Sequence, residues 1–186
     1  MSLPPYDAVI LAGGAARRLG GVDKPGQLVG SLSLLERVLS AVPDAGRRIV
    51  VGPRRELATV DEWVREDPPG GGPAPALAAA LPMVTAEFVA LLAGDLPFLT
   101  AEAIRTLREA AAEVDGALAV DDDRRDQILL GIWRTELLRG LDLQPGARIG
   151  RALASLHVRR LRLPGSPPPW MDCDTSDELR QARELA

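Results

Sequence analysis

The sequence predicts a single-domain three-layer α/β sandwich on a mostly parallel sheet, and two observations predict it. Short apolar runs of strand length alternate along the chain with segments whose apolar residues recur at helical spacing. The chain has 186 residues, 46% of them hydrophobic and 26% charged, which suits one domain with a sizeable core. No internal repeat interrupts residues 1–186, and SPPPW at 166–170 is too short to separate domains. Residues 1–5 are expected to be disordered.

The elements follow in order. Residues 7–11 (DAVIL) read as a buried strand entering a loop at Gly13-Gly14. Residues 31–42 place Leu32, Leu35, Val38, Leu39 and Val42 at helical spacing, with Ser31 as the expected cap and Pro43 as the stop. RIVV at 48–51 reads as the second strand of the sheet, and 55–64 as a short helix. Pro and Gly dominate 67–75, which predicts a loop, with a helix resuming at Ala76–Leu81. Residues 87–93 (EFVALLA) form the clearest strand and end at Gly94-Asp95-Leu96-Pro97. Thr100 caps a helix containing Ile104 and Leu107, with Glu102 in its first turn. Strands at 116–120 and 127–133 flank a polar turn. Short helices near 134–141 and 147–155, a strand in HVRRLRL and a terminal helix capped by Asp174 or Thr175 complete the chain.

Composition narrows the function. The formal net charge of −4 argues against a sequence-independent nucleic-acid binder, which would be basic. One cysteine, Cys173, allows no intrachain disulfide and fits a reducing compartment. No stretch approaches the roughly 18 apolar residues of a spanning helix, and the N-terminus lacks a signal-peptide pattern. A soluble, cytoplasmic protein without a membrane partner is the expectation.

Ligands of open parallel sheets bind at the carboxyl ends of the strands. After the first strand comes LAGGAARRLGGVDK at 11–24. Its glycines let backbone N–H groups turn inward, and Arg17, Arg18 and Lys24 add cations, which is what a polyphosphate requires. The loop is neither a Walker A sequence nor GxGxxG. The plain alternative is a glycine turn with surface arginines. Asp95, at the end of a buried strand, is placed as a Mg²⁺ ligand or as the start of a turn. Asp172 and Asp174 lie two apart in an extended stretch and face the same way; one is available for a metal and one for a helix cap. His157, the sole histidine, reads as structural, and Cys173 as a small apolar filler.

Together, LAGGAARRLGGVDK, GDLP and DCDTSDEL resemble the molybdenum cofactor guanylyltransferases, the MobA-like nucleotidyltransferases, across almost the whole chain. Leu19 stands where the family's opening motif has Met. The resemblance implies the nucleotide-diphospho-sugar transferase (glycosyltransferase-A-like) fold, Mg²⁺, GTP as donor and molybdopterin as acceptor. It implies that Leu11, Ala12, Gly13 and Gly14 lie against the nucleotide and that Arg18 and Lys24 hold its triphosphate. Asp67 falls in the guanine and ribose region, Asp95 at the principal metal ligand and Asp174 at the second. Gln127, with Arg124 and Arg125, falls on the acceptor side.

Two departures touch the nucleobase region. Gly52 replaces an Asn, and Gly71-Gly72-Pro73-Ala74-Pro75-Ala76 replaces the family's GGPLAG. Cytidylyl transfer, or nucleotide transfer to a sugar phosphate or phospholactate, is the nearest alternative. A nucleotide-binding regulator without catalysis and an α/β structural protein follow.

Overall fold

The computed structural model describes residues 3–13, 23–57 and 59–186. Its centre is a seven-stranded sheet. In chain order the strands are β1 (Tyr6–Leu11), β4 (Arg48–Val51), β5 (Glu62–Val64), β6 (Phe88–Ala93), β7 (Gly116–Val120), β8 (Asp126–Arg134) and β9 (Val158–Leu161). The order across the sheet is β5-β4-β1-β6-β8-β7-β9. Only β8 runs against the rest, pairing antiparallel with β6 and β7. A separate hairpin pairs β2 (Leu28–Val29) with β3 (Leu32–Ser33).

Both faces of the central strands are covered, so β6 and β7 are apolar throughout rather than alternating, whereas the edge strands β5 and β9 carry charged residues and stay partly exposed. Tyr6, Ala8 and Ile10 of β1 and Phe88, Ala90 and Leu92 of β6 face helices α1 (Leu34–Ser40) and α3 (Ala101–Ala111). Val9, Val89 and Leu91 face the other way, against α2 (Pro73–Ala80), α4 (Thr135–Arg139) and α5 (Ile149–Leu153). A third, smaller cluster joins Val29, Leu34 and Cys173 to Leu179 and Ala182 of α6 (Ser176–Leu185), with Phe98 packed against it.

Three sequence expectations are corrected. The first helix starts at Leu34, not in the 31–33 region, and its cap is Ser33, not Ser31. Ser33 and Glu36 form a reciprocal capping box, while Leu32 and Ser33 are engaged in the hairpin. The described residues of the 55–64 segment form no helix: Glu62, Trp63 and Val64 pair in parallel with Ile49, Val50 and Val51. Trp63 and Val64 favour a pleated surface, and Trp63 packs on the main core. Finally, α2 begins at Pro73, inside the expected 67–75 loop, with Gly72 as N-cap. Proline fits there because the first helical N–H groups have no intrahelical partner.

Candidate active site

β1 lies between β4 and β6, and the carboxyl ends of all three meet at one edge. The Ala12 N–H donates to the Val51 carbonyl at 2.8 Å, and the Gly94 N–H to the Leu11 carbonyl at 2.9 Å. The loops after β4 and β6 therefore start directly against the end of β1. Gly52 shows how close this packing is. Its φ is +149°, and a Cβ there would lie 2.7 Å from the Ala12 carbonyl oxygen. Only glycine fits that backbone. The Gly52 N–H is itself used, donating to Val64 O at 2.9 Å.

Three side chains far apart in sequence converge at this edge. The Lys24 ammonium donates to Asp174 Oδ1 at 2.6 Å and forms a second ion pair with Asp95. Lys24 and Asp95 side chains are only 16% and 17% exposed, against 48% for Asp174. The third core cluster explains the convergence. Cys173, fully buried, anchors the chain between Asp172 and Asp174; Phe98 anchors the loop that carries Asp95; Val29 and Leu34 anchor the hairpin that follows Lys24. Thr175, not Asp174, caps α6 through a box with Glu178, which leaves the Asp174 carboxylate facing Lys24.

Charge is concentrated here. Burial works against the Lys24 charge, but Asp95 and Asp174, by charge and by hydrogen bonding, lift the ammonium above the usual lysine value. Partial burial, then the charges of Asp174, Asp95 and Glu178, push the Asp172 carboxyl up to about 6. Asp172 still reaches solvent, so like-charge crowding is the firmer of these causes. Burial, then Asp95, pushes the Cys173 thiol up to about 12, which makes it a packing group rather than a nucleophile.

The donor set fits a hard cation that keeps most of its ligands elsewhere. Asp95 Oδ1 is buried and has no hydrogen-bond partner, and Asp174 approaches the same ammonium that Asp95 does. Among the described residues no group of three or more His, Cys, Asp or Glu is arranged around a metal position. Two carboxylates with phosphate oxygens and water completing the shell is a pattern suited to Mg²⁺.

Leu11, Ala12, Gly13, Gly52, Lys24, Asp95 and Asp174 thus stand at one edge of the sheet. Gly14 and Arg18 lie outside the described residues. Asp67 is exposed beyond the end of β5, two strands from β1. Its neighbour Glu66 is buried and accepts the Gly70 N–H at 3.0 Å, holding the loop before α2. Gln127 donates to Asp121 Oδ2 at 3.2 Å at the start of β8, on the same edge. His157 precedes β9 at the opposite edge, where its backbone pairs with Asp115. The sequence reading missed the Arg55–Asp23 ion pair beside Lys24. Asp23 was legible as the neighbour of Lys24, but Arg55 sat in a segment read as helix.

Among the described residues no helix is long and apolar enough to cross a membrane. Residues 8–161 match the family model of the MobA-like NTP transferase domain. The chain is 31% identical to the molybdenum cofactor guanylyltransferase of Nitrobacter hamburgensis, covering 100% of this chain and 97% of that protein. It superposes on molybdopterin-guanine dinucleotide biosynthesis protein A of Archaeoglobus fulgidus with a TM-score of 0.74 at 21% identity, covering 96% and 97% of the two chains. It superposes on 2-C-methyl-D-erythritol 4-phosphate cytidylyltransferase of Thermus thermophilus with a TM-score of 0.73 at 16% identity, covering 95% and 96%.

Proposed function

The chain belongs to the MobA-like NTP transferase family, and from that premise we propose that it transfers GMP from GTP to the phosphate of molybdopterin, releasing pyrophosphate. The observation that carries the reading is the Lys24 ammonium set between Asp95 and Asp174 at the end of β1. A cation and two carboxylates at the edge that carries Gly13 are parts needed to bind a triphosphate together with its metal.

In the reaction a phosphate oxygen of the acceptor attacks the α-phosphorus in line. The new P–O bond forms as the bond to the β-phosphate oxygen breaks, and pyrophosphate carries away the electron pair. The nucleophile is already ionised, so no general base is required, and the placement of His157 away from the site is no obstacle. Lys24 would face the phosphates and offset charge as the leaving group develops. The close-packed backbone of Ala12, Gly13 and Gly52 gives the nucleotide a rigid floor. Asp95 and Asp174 would hold the metal, Asp95 through its buried Oδ1, which has no hydrogen-bond partner. Mg²⁺ held there would supply Lewis-acid neutralisation of the transferring phosphoryl group. Arg18, Gly14 and Asp67 are assigned to the nucleotide by the sequence motif. We place the reaction in the cytoplasm, where a single reduced cysteine such as Cys173 is at home.

Gly52 favours keeping a second reading, cytidylyl transfer. The position has no room for a base-reading side chain, so the preference for guanine rests on other groups. Thermal shifts with GTP, CTP, ATP and UTP in the presence of Mg²⁺ separate the two. GTP is expected to stabilise most, and pyrophosphate is expected to appear only when molybdopterin is added. Preferential stabilisation by CTP would transfer the assignment to the cytidylyl reaction, and no response to any triphosphate would end both.

A further inference from the structure

Arg55 sits in the loop after β4, four residues beyond its end, and grips the residue next to Lys24. Its Nε donates to Asp23 Oδ2 at 3.1 Å, Nη2 pairs with Asp23 Oδ1, and Nη1 donates to the Pro53 carbonyl at 3.0 Å. All three guanidinium nitrogens are thereby engaged, two by the Asp23 carboxylate and one by the Pro53 carbonyl. Its side chain is 16% exposed while that of Asp23 is 57% exposed, so the arginine is the held partner and the aspartate is drawn to it. Such a fork is geometrically demanding, and a lysine cannot reproduce it.

Asp23 opens a short turn. The Gln27 N–H donates to Lys24 O at 3.0 Å, and Gln27 Nε2 to Asp23 O at 3.2 Å. Downstream, the turn is tied to the start of α1: the Leu34 N–H donates to Gln27 O at 2.9 Å and the Leu35 N–H to Pro25 O at 3.0 Å. Arg55 secures the upstream side. We infer that Arg55 is a positioning residue: by chelating Asp23 it sets the direction in which Lys24 leaves the turn, and so holds the ammonium against Asp95 and Asp174. The same contact ties the loop after β4 to the segment that follows the glycine loop. Movement of either is passed to the other. The consequence for ligand binding rests on the nucleotidyltransferase reading above, whereas the clamp itself does not.

The test uses the full chain and four variants: Arg55→Gln, Arg55→Lys, Asp23→Asn and the double variant Arg55→Gln/Lys24→Met. In the nucleotide-free protein, Arg55→Gln is expected to speed amide exchange at Gln27 by about tenfold while β1 and β6 stay protected. By calorimetry, Mg²⁺–GTP binding weakens by about tenfold in Arg55→Gln and in Asp23→Asn, and Arg55→Lys recovers only part of it. In the Lys24→Met background the Arg55→Gln loss disappears, because there is no ammonium left to position. A purely structural role would instead add its full loss in that background and would speed exchange throughout the domain; either result overturns the proposal. Unchanged exchange at Gln27 in Arg55→Gln overturns it too. If the native protein binds no nucleotide, the function reading falls, and the exchange experiment still decides the clamp.

Discussion

Replacing Lys24 by Met keeps the aliphatic stem and removes only the charge, so its effects can be reckoned from the contacts. Breaking a buried ion pair by removing one partner costs roughly 3–5 kcal/mol. Here Asp174 is 48% exposed and recovers its hydration, whereas Asp95 is 17% exposed and does not. Roughly 2 kcal/mol of destabilisation is therefore expected, a fall in Tm of about 4–8 °C for a chain of this size. Turnover should fall much further, by about a thousandfold in kcat/KM, which corresponds to about 4 kcal/mol of transition-state stabilisation. Divalent binding in the absence of nucleotide moves the other way. The ammonium lies between the two carboxylates a metal would use, so its removal should tighten Mn²⁺ binding by about tenfold, read by electron paramagnetic resonance. Pyrophosphate release at saturating GTP and molybdopterin gives the turnover. If Lys24→Met kept turnover within threefold of native and bound Mn²⁺ no more tightly, the shared site would be misassigned.

Asp95→Asn should lower kcat at least about a thousandfold while circular dichroism stays native, because Asp95 meets the site rather than the core; pyrophosphate release near the native rate would contradict this. Gly52→Asn forces a side chain onto a backbone at φ +149° and into the Ala12 carbonyl, so a loss of about 2–4 kcal/mol in a denaturant melt is expected, and an unchanged midpoint would show that the loop can yield. Asp172→Asn tests the crowding of carboxylates through pH. Native Asp172 titrates at about 6 against a reference of 3.8, so the folded state holds its proton more tightly than the unfolded state does. That contribution is complete below about pH 4 and is lost as pH rises to 6. Native and Asp172→Asn proteins should melt together at pH 4, and the variant should be more stable above pH 6. Screening at this solvent-reaching position limits the gap to about 1 kcal/mol, or about 2–4 °C. A gap widest at pH 4 would refute the sign.

The sheet was legible because each of its longer strands is built on a short apolar run, as burial on two faces demands. β1, β4, β6, β7 and β8 fall where those runs predicted them. Asp95 was legible because it follows the end of β6, Lys24 because it closes the glycine-rich motif after β1, and Asp174 because it belongs to the Asp-Cys-Asp stretch before α6; their meeting is a property of the topology. Errors arose where local rules competed. Ser31 and Ser33 both precede an apolar series, and the Ser-x-x-Glu spacing from Ser33 to Glu36 was the deciding signal. Pro73 and Pro75 suggested a break, but in the first turn of a helix they remove only N–H groups that have no intrahelical acceptor. Trp63 lies in an edge strand too short for periodicity to register. The Arg55–Asp23 contact joins two loops 32 positions apart, and no pattern within either segment encodes it.

The balance of charge around Lys24 gives a divalent ion a role in the proposed reaction. Asp95, Asp172, Asp174 and Glu178 all act on one another or on this ammonium, and among the described residues Lys24 is the cation set between Asp95 and Asp174. Arg55 lies close but is neutralised by Asp23. These carboxylates would repel a triphosphate approaching alone, and at the low exposure of Asp95 that repulsion is weakly screened. Asp95 and Asp174 would hold a divalent ion that accompanies the phosphates, and its charge would offset that repulsion and leave the Lys24 ammonium to the phosphates. Affinity for GTP should therefore collapse when Mg²⁺ is chelated. Titrating native protein with GTP in excess EDTA should give binding weaker by at least about a hundredfold than with Mg²⁺. Equal affinities would mean that the acidic cluster does not face the phosphates.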